Sequence, residues 1–144
     1  MHESPSVPPP DLREFFPATP ESVRDVRHLV TRWADGAGID RHLAALVAGE
    51  LATNAYRHTR TSGASDKYSV EMSCDVREFR IAVGDSSPRR PVARQAGADD
   101  ECGRGLWIIE SLGGRITTED LVCGGKRVVA TFARGNDVSV DGDG

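Results

Sequence analysis

Glu50, Asn54 and His58 stand at four-residue intervals in the stretch Glu50-Leu51-Ala52-Thr53-Asn54-Ala55-Tyr56-Arg57-His58. On a helix, a carboxylate, a carboxamide and an imidazole so spaced lie above one another. At about 100° per residue, Asn54 and His58 fall among Val47, Leu51 and Ala55 on the apolar stripe. An amide placed there is costly unless something bonds to it, and a ligand is one candidate. The carbonyl oxygen of asparagine is a hard ligand suited to Mg²⁺, which keeps waters and takes further oxygens from phosphates. Glu50, one turn earlier, is placed to orient or deprotonate a hydroxyl or water beside those phosphates. Taken singly, each has a plainer reading: a solvated glutamate, an asparagine bonded to backbone, and a histidine near a helix end, where positive charge is favoured.

Two further constellations lie downstream. Val83-Gly84-Asp85-Ser86-Ser87 ends a buried strand with an acid. That acid either caps the following turn or presents a carboxylate able to accept a hydrogen bond from an exocyclic amine such as that of adenine. Cys102-Gly103-Arg104-Gly105-Leu106-Trp107 places two glycines before an apolar run. Glycines let backbone approach a ligand closely, and a helix N-terminus behind them offers free N–H groups and a positive dipole end. Arg104 is either a phosphate contact or a solvated side chain.

These residues need a scaffold. Leu12 to Phe16 alternates enough for an edge strand. Thr19 and Pro20 then give an N-cap and first helical residue, and Val23, Val26, Leu29, Val30, Trp33 and Ala34 keep the helical period until Gly36 and Gly38. Asp40 caps a second helix expected to run to about Thr59. Residues 67–73 and 76–85 read as a hairpin pair, with Phe79, Ile81 and Val83 pointing inward. Residues 86–102 read as a long loop with no clear period, of the kind that is often a lid or disordered. A short helix, Leu106 to Leu112, is expected to end at Gly113-Gly114. Residues 115–119 and 126–133 close as two strands across Cys123-Gly124-Gly125. The order predicts an α+β fold: a two-layer sandwich with helices on one face of a mixed, largely antiparallel sheet. The domain is expected over residues 12–134, between disordered tails at 1–11 and 135–144.

Composition narrows the class. A chain of 144 residues is enough for one domain with a real core. No apolar run is long enough to cross a bilayer and no signal peptide opens the chain, so a cytoplasmic protein with no membrane role is expected. The three cysteines, Cys74, Cys102 and Cys123, are widely spaced with no C-x-x-C pair, which predicts reduced thiols. A net charge of −4 argues against direct nucleic-acid binding.

The order of the three constellations resembles the GHKL ATPase superfamily, the Bergerat fold of gyrase, sensor histidine kinases and MutL. Glu50-Leu51-Ala52-Thr53-Asn54-Ala55 looks like its N box, Asp85 like the acid of its first glycine box, and Gly103-Arg104-Gly105-Leu106 like its second. Gly-Arg-Gly-Leu-Trp-Ile-Ile-Glu, followed by Gly-Gly-Lys-Arg-Val-Val-Ala, is similar to the stand-alone actinobacterial anti-sigma-factor serine/threonine kinases. The resemblance spans roughly Phe15 to Phe132. It implies ATP and Mg²⁺ as cofactors, with Glu50 as general base, Asn54 holding the metal and Asp85 binding the adenine amine. Gly103 and Gly105 would admit the phosphates to backbone amides, with Arg57, His58, Arg104 and Leu106 nearby. It further implies a small antagonist protein as substrate, a sigma factor as partner, and a homodimer. Two departures stand out. The D-x-G-x-G pattern reads Asp85-Ser86-Ser87-Pro88-Arg89, and the threonine often found at the start of the last strand is replaced by Arg127. The alternative is a non-catalytic nucleotide- or protein-binding module of the same fold.

Overall fold

The computed structural model describes residues 10–62, 66–85, 101–122 and 124–134, the side chains of 60–62 and 101–104 excepted. The long loop expected at 86–102 lies almost wholly outside these residues, as do most of the two tails and Cys123.

The elements run β1 (Leu12–Pro17), α1 (Ser22–Ala37), α2 (Arg41–Ser62), β2 (Lys67–Cys74), β3 (Glu78–Asp85), α3 (Glu101–Ser111), β4 (Arg115–Asp120) and β5 (Lys126–Ala133). The strands form one sheet of order β1-β2-β3-β5-β4, and every pairing is antiparallel. The three helices cover one face, as the α+β reading requires. α1 lies towards β1 and β2, α2 over β2 and β3, and α3 beside α2 and β4.

Local chemistry sets the element ends. Thr19 Oγ1 accepts from the Ser22 amide at 3.2 Å, and Ser22 Oγ donates back to the Thr19 carbonyl at 2.7 Å. These bonds close a tight turn from Thr19 to Ser22, and the regular helix starts at Ser22 with Glu21 at the N-cap position, not at Pro20 after a Thr19 cap. Gly38, at φ +74°, ends α1 in the left-handed conformation that glycine adopts without strain. Asp40 Oδ1 caps α2 through the amides of His42 and Leu43, at 2.9 and 3.2 Å. In the β2–β3 turn, Asp75 Oδ1 accepts from the amides of Arg77 and Glu78 at 2.8 and 3.0 Å. Those donors hold its carboxyl below the ordinary range.

The core lies between the layers. Tyr68, Val70 and Met72 of β2, Phe79, Ile81 and Val83 of β3, and Val128, Ala130 and Phe132 of β5 meet Val26, Val30, Val47, Leu51, Leu106 and Ile109 of the helices. Phe79 and Phe132 stack with centroids 5.2 Å apart. Cys74 is a free thiol, and burial is the main cause raising its pKa.

Candidate functional site

α2 carries its polar residues inward as the periodicity predicts. Asn54 and His58 are buried among Val47, Leu51 and Ala55, and Glu50 is half-buried at the edge of the stripe. Asn54 is only 3% exposed. Neither Oδ1 nor Nδ2 of its carboxamide has a hydrogen-bond partner among the described residues. Native proteins rarely leave both ends of a buried amide unpaired, and such a group asks for a bound water, an ion or a ligand. A lone carbonyl donor fits Mg²⁺, which is commonly held by one or two protein oxygens plus phosphates and water. No cluster of three His, Cys, Asp or Glu side chains able to hold a metal exists among the described residues. The donor set thus matches an ion shared with a phosphate ligand rather than a closed protein cage.

Glu50 faces α3. A Cβ at Gly105 would collide with Glu50 Oε1 and lie 3.3 Å from its Cδ. Here the structure corrects the expected helix start: α3 begins at Glu101, so Gly103 and Gly105 lie inside the helix and not on a loop before it. Only the earliest amides of a helix are free of internal bonds. The amide of Gly103 is among them, and that of Gly105 is not. Gly105 is instead the bare face on which the Glu50 carboxylate rests. Helical glycine costs about 1 kcal/mol against alanine, and the close approach explains why it is present. The colliding atom is the tip of a flexible, half-buried side chain, so Gly105→Ala should change stability by less than about 1 kcal/mol, the displacement of Glu50 offsetting the gain in helix propensity. In a Glu50→Ala background the same change should stabilise by about 1 kcal/mol, a difference that urea denaturation of the four proteins would read directly.

Asp85 ends β3 on the inward face. The apolar rungs Met72–Ile81–Ala130–Ile116 and Val70–Val83–Val128 give way at this last rung to a pair of charges, Asp85 opposite Lys126. Lys126 Nζ donates to Asp85 Oδ1 at 2.9 Å and Oδ2 at 3.0 Å, and lies 3.0 Å from His58 Nδ1. An ammonium only donates, so His58 Nδ1 is the acceptor and its ring proton sits on Nε2. Both side chains of the ion pair are 1% exposed.

Lys126 is the site residue that sequence reasoning missed. The substitution noted at Arg127 falls one residue away, on the outer face, where that guanidinium reaches Glu119 at 3.4 Å and Glu71 at 3.9 Å. Strand parity carried the signal: Val128, Ala130 and Phe132 point inward, so Lys126 must too. Arg57 is half-buried on α2, Leu106 is buried in the core, and Arg104 lies in the first turns of α3.

Residues 16–132 match the family model described as the histidine kinase-like ATPase domain. The chain belongs to that family. Among solved structures, a chain of the SiaB–SiaC complex from Pseudomonas aeruginosa aligns with TM-score 0.54 and 13% identity, over 86% of this chain and 90% of that chain. The catalytic domain of histidine kinase ThkA aligns at 0.47 and 19% identity, covering 85% of this chain and 97% of that chain. Full-length ShkA in complex with AMPPNP aligns at 0.49 and 18%, covering 83% of this chain and 31% of that chain. At these identities the likeness is one of fold. No curated protein sequence matches. Among the described residues of this histidine kinase-like ATPase domain, no helix is long and apolar enough to cross a membrane.

Proposed function

We propose that this ATPase-family domain binds Mg-ATP and acts as a regulatory serine/threonine kinase on a small antagonist protein, in the manner of anti-sigma-factor kinases. The observation that carries the reading is the buried carboxamide of Asn54, without a partner among the described residues and one helical turn from Glu50. Asn54 Oδ1 would hold Mg²⁺, which when bound neutralises phosphate charge. Glu50 would take the proton of an acceptor hydroxyl, its carboxylate lying against the bare backbone of Gly105. The start of α3, with the Gly103 amide, supplies donors and a positive dipole end for phosphate oxygens. Asp85 marks the base end of the site. Phosphoryl transfer asks mainly for positioning and charge neutralisation, which this set supplies. SiaB is seen assembled with SiaC, and by analogy a protein partner is expected here, with a sigma factor as the regulated target.

Titration calorimetry tests the reading. Wild type should bind ATP in the presence of magnesium and lose most of that affinity in EDTA. Glu50→Ala should keep nucleotide and lose about 10²–10⁴-fold in phosphate transfer. Equal turnover in that variant would remove the base. A second reading, a binding module without catalysis, is favoured by one observation: the acid at the base end is already paired with Lys126. Absence of nucleotide binding at millimolar Mg-ATP would decide for it.

A further inference from the structure

A carboxylate at the end of β3 suits an exocyclic amine, yet both oxygens of Asp85 already accept from Lys126 Nζ, at 2.9 and 3.0 Å. That ammonium also lies 3.0 Å from His58 Nδ1. Cross-strand register, not a chance rotamer, puts the two groups together, because Asp85 and Lys126 are direct partners across β3 and β5. An ammonium is the same kind of donor as a base amine, and it carries a full charge as well.

We propose that Lys126 determines the base specificity of the site by filling, from within the chain, the place at Asp85 that an exocyclic amine would take. This rests on the nucleotide-binding reading above and deepens it. Each Asp85 oxygen keeps a second lone pair, but both side chains of the ion pair are 1% exposed, so an incoming amine reaches the carboxylate only by disturbing the pair. Removing one partner of a buried pair is strongly unfavourable, and a hydrogen bond from a neutral amine returns less. The amine therefore goes unread, and affinity comes from the phosphate end. Purine nucleotides with an amine or with an oxo group at that position bind alike.

Calorimetry with Mg-ATP and Mg-ITP tests this, because inosine carries an oxo group where adenosine carries the amine. Wild-type dissociation constants should agree within about threefold. In Lys126→Thr the carboxylate becomes available, and ATP should be preferred over ITP by roughly tenfold or more, the worth of a charge-assisted hydrogen bond. A wild type that already prefers ATP tenfold would overturn the proposal and leave the nucleotide reading intact. So would a Lys126→Thr variant that binds both alike. A wild type that binds neither while Lys126→Thr binds ATP would overturn it, because affinity would then not come from the phosphate end. Failure of both proteins to bind either nucleotide would sink the nucleotide reading and the proposal with it. Where the variant does not fold, the wild-type comparison decides alone.

Discussion

Asn54→Ala should melt at a higher temperature than wild type and lose magnesium-dependent nucleotide binding. Two buried amide atoms have no partner among the described residues, and in the ligand-free protein trapped water satisfies them only in part. Each such group costs about 1–3 kcal/mol when left unpaired. Alanine removes both and gains up to about 0.7 kcal/mol in helix propensity. The void left by a few atoms offsets only part of this. A net gain of about 1 kcal/mol is expected, or about 3–5 °C in melting temperature for a domain of this size. Nucleotide affinity should fall by about 10–100-fold, the usual penalty for disturbing the support of a bound metal. Calorimetric melts and titrations on one preparation would show both. Gain of stability with loss of binding is the signature of a group kept for a ligand. A lower melting temperature with binding retained would place Asn54 in the packing and not in the site.

Lys126→Met should be among the most destabilising single changes in the domain. Methionine keeps much of the stem volume but leaves the Asp85 carboxylate buried with no cation. The expected loss is about 3–5 kcal/mol, a large share of the stability of an ordinary domain. Adding Asp85→Leu removes the stranded charge. The double variant should recover at least half of the loss, because a buried pair replaced by apolar residues is often neutral. Urea denaturation of the two single variants, the double variant and wild type gives the coupling energy. A loss below about 1 kcal/mol in Lys126→Met would show that the carboxylate finds water or a proton at little expense.

Much of this domain was legible where the determining chemistry is local. The Asp40 cap, the Gly38 stop and the alternation of Phe79, Ile81 and Val83 each depend on neighbours a few residues away. β5 begins and ends where its pattern indicated. The start of α3 was not legible. Two glycines within four residues read as a loop, and the compensating contact, Glu50 against Gly105, joins residues on different helices. At the site, burial of Asn54 and His58 followed from helical period alone. The partner of Asp85 did not, because it lies 41 residues along the chain and attention to a family threonine drew the eye to Arg127. Counting parity back from Phe132 would have found Lys126.

Arg134 gives the domain a mechanical asymmetry. Its guanidinium bonds the Asp75 carbonyl at 2.9 Å and the Ala37 carbonyl at 2.7 Å, and its amide bonds Arg77 at 2.8 Å. One side chain thereby stitches the end of α1, the β2–β3 turn and the exit of β5 into a single knot. Asp85 and Lys126 occupy the opposite end of the same two strands, about 23 Å away. A tag or fused partner attached beyond Arg134 would pull on the knotted pole and leave the working pole undisturbed, whereas an insertion between β3 and α3 would act on the working pole at once.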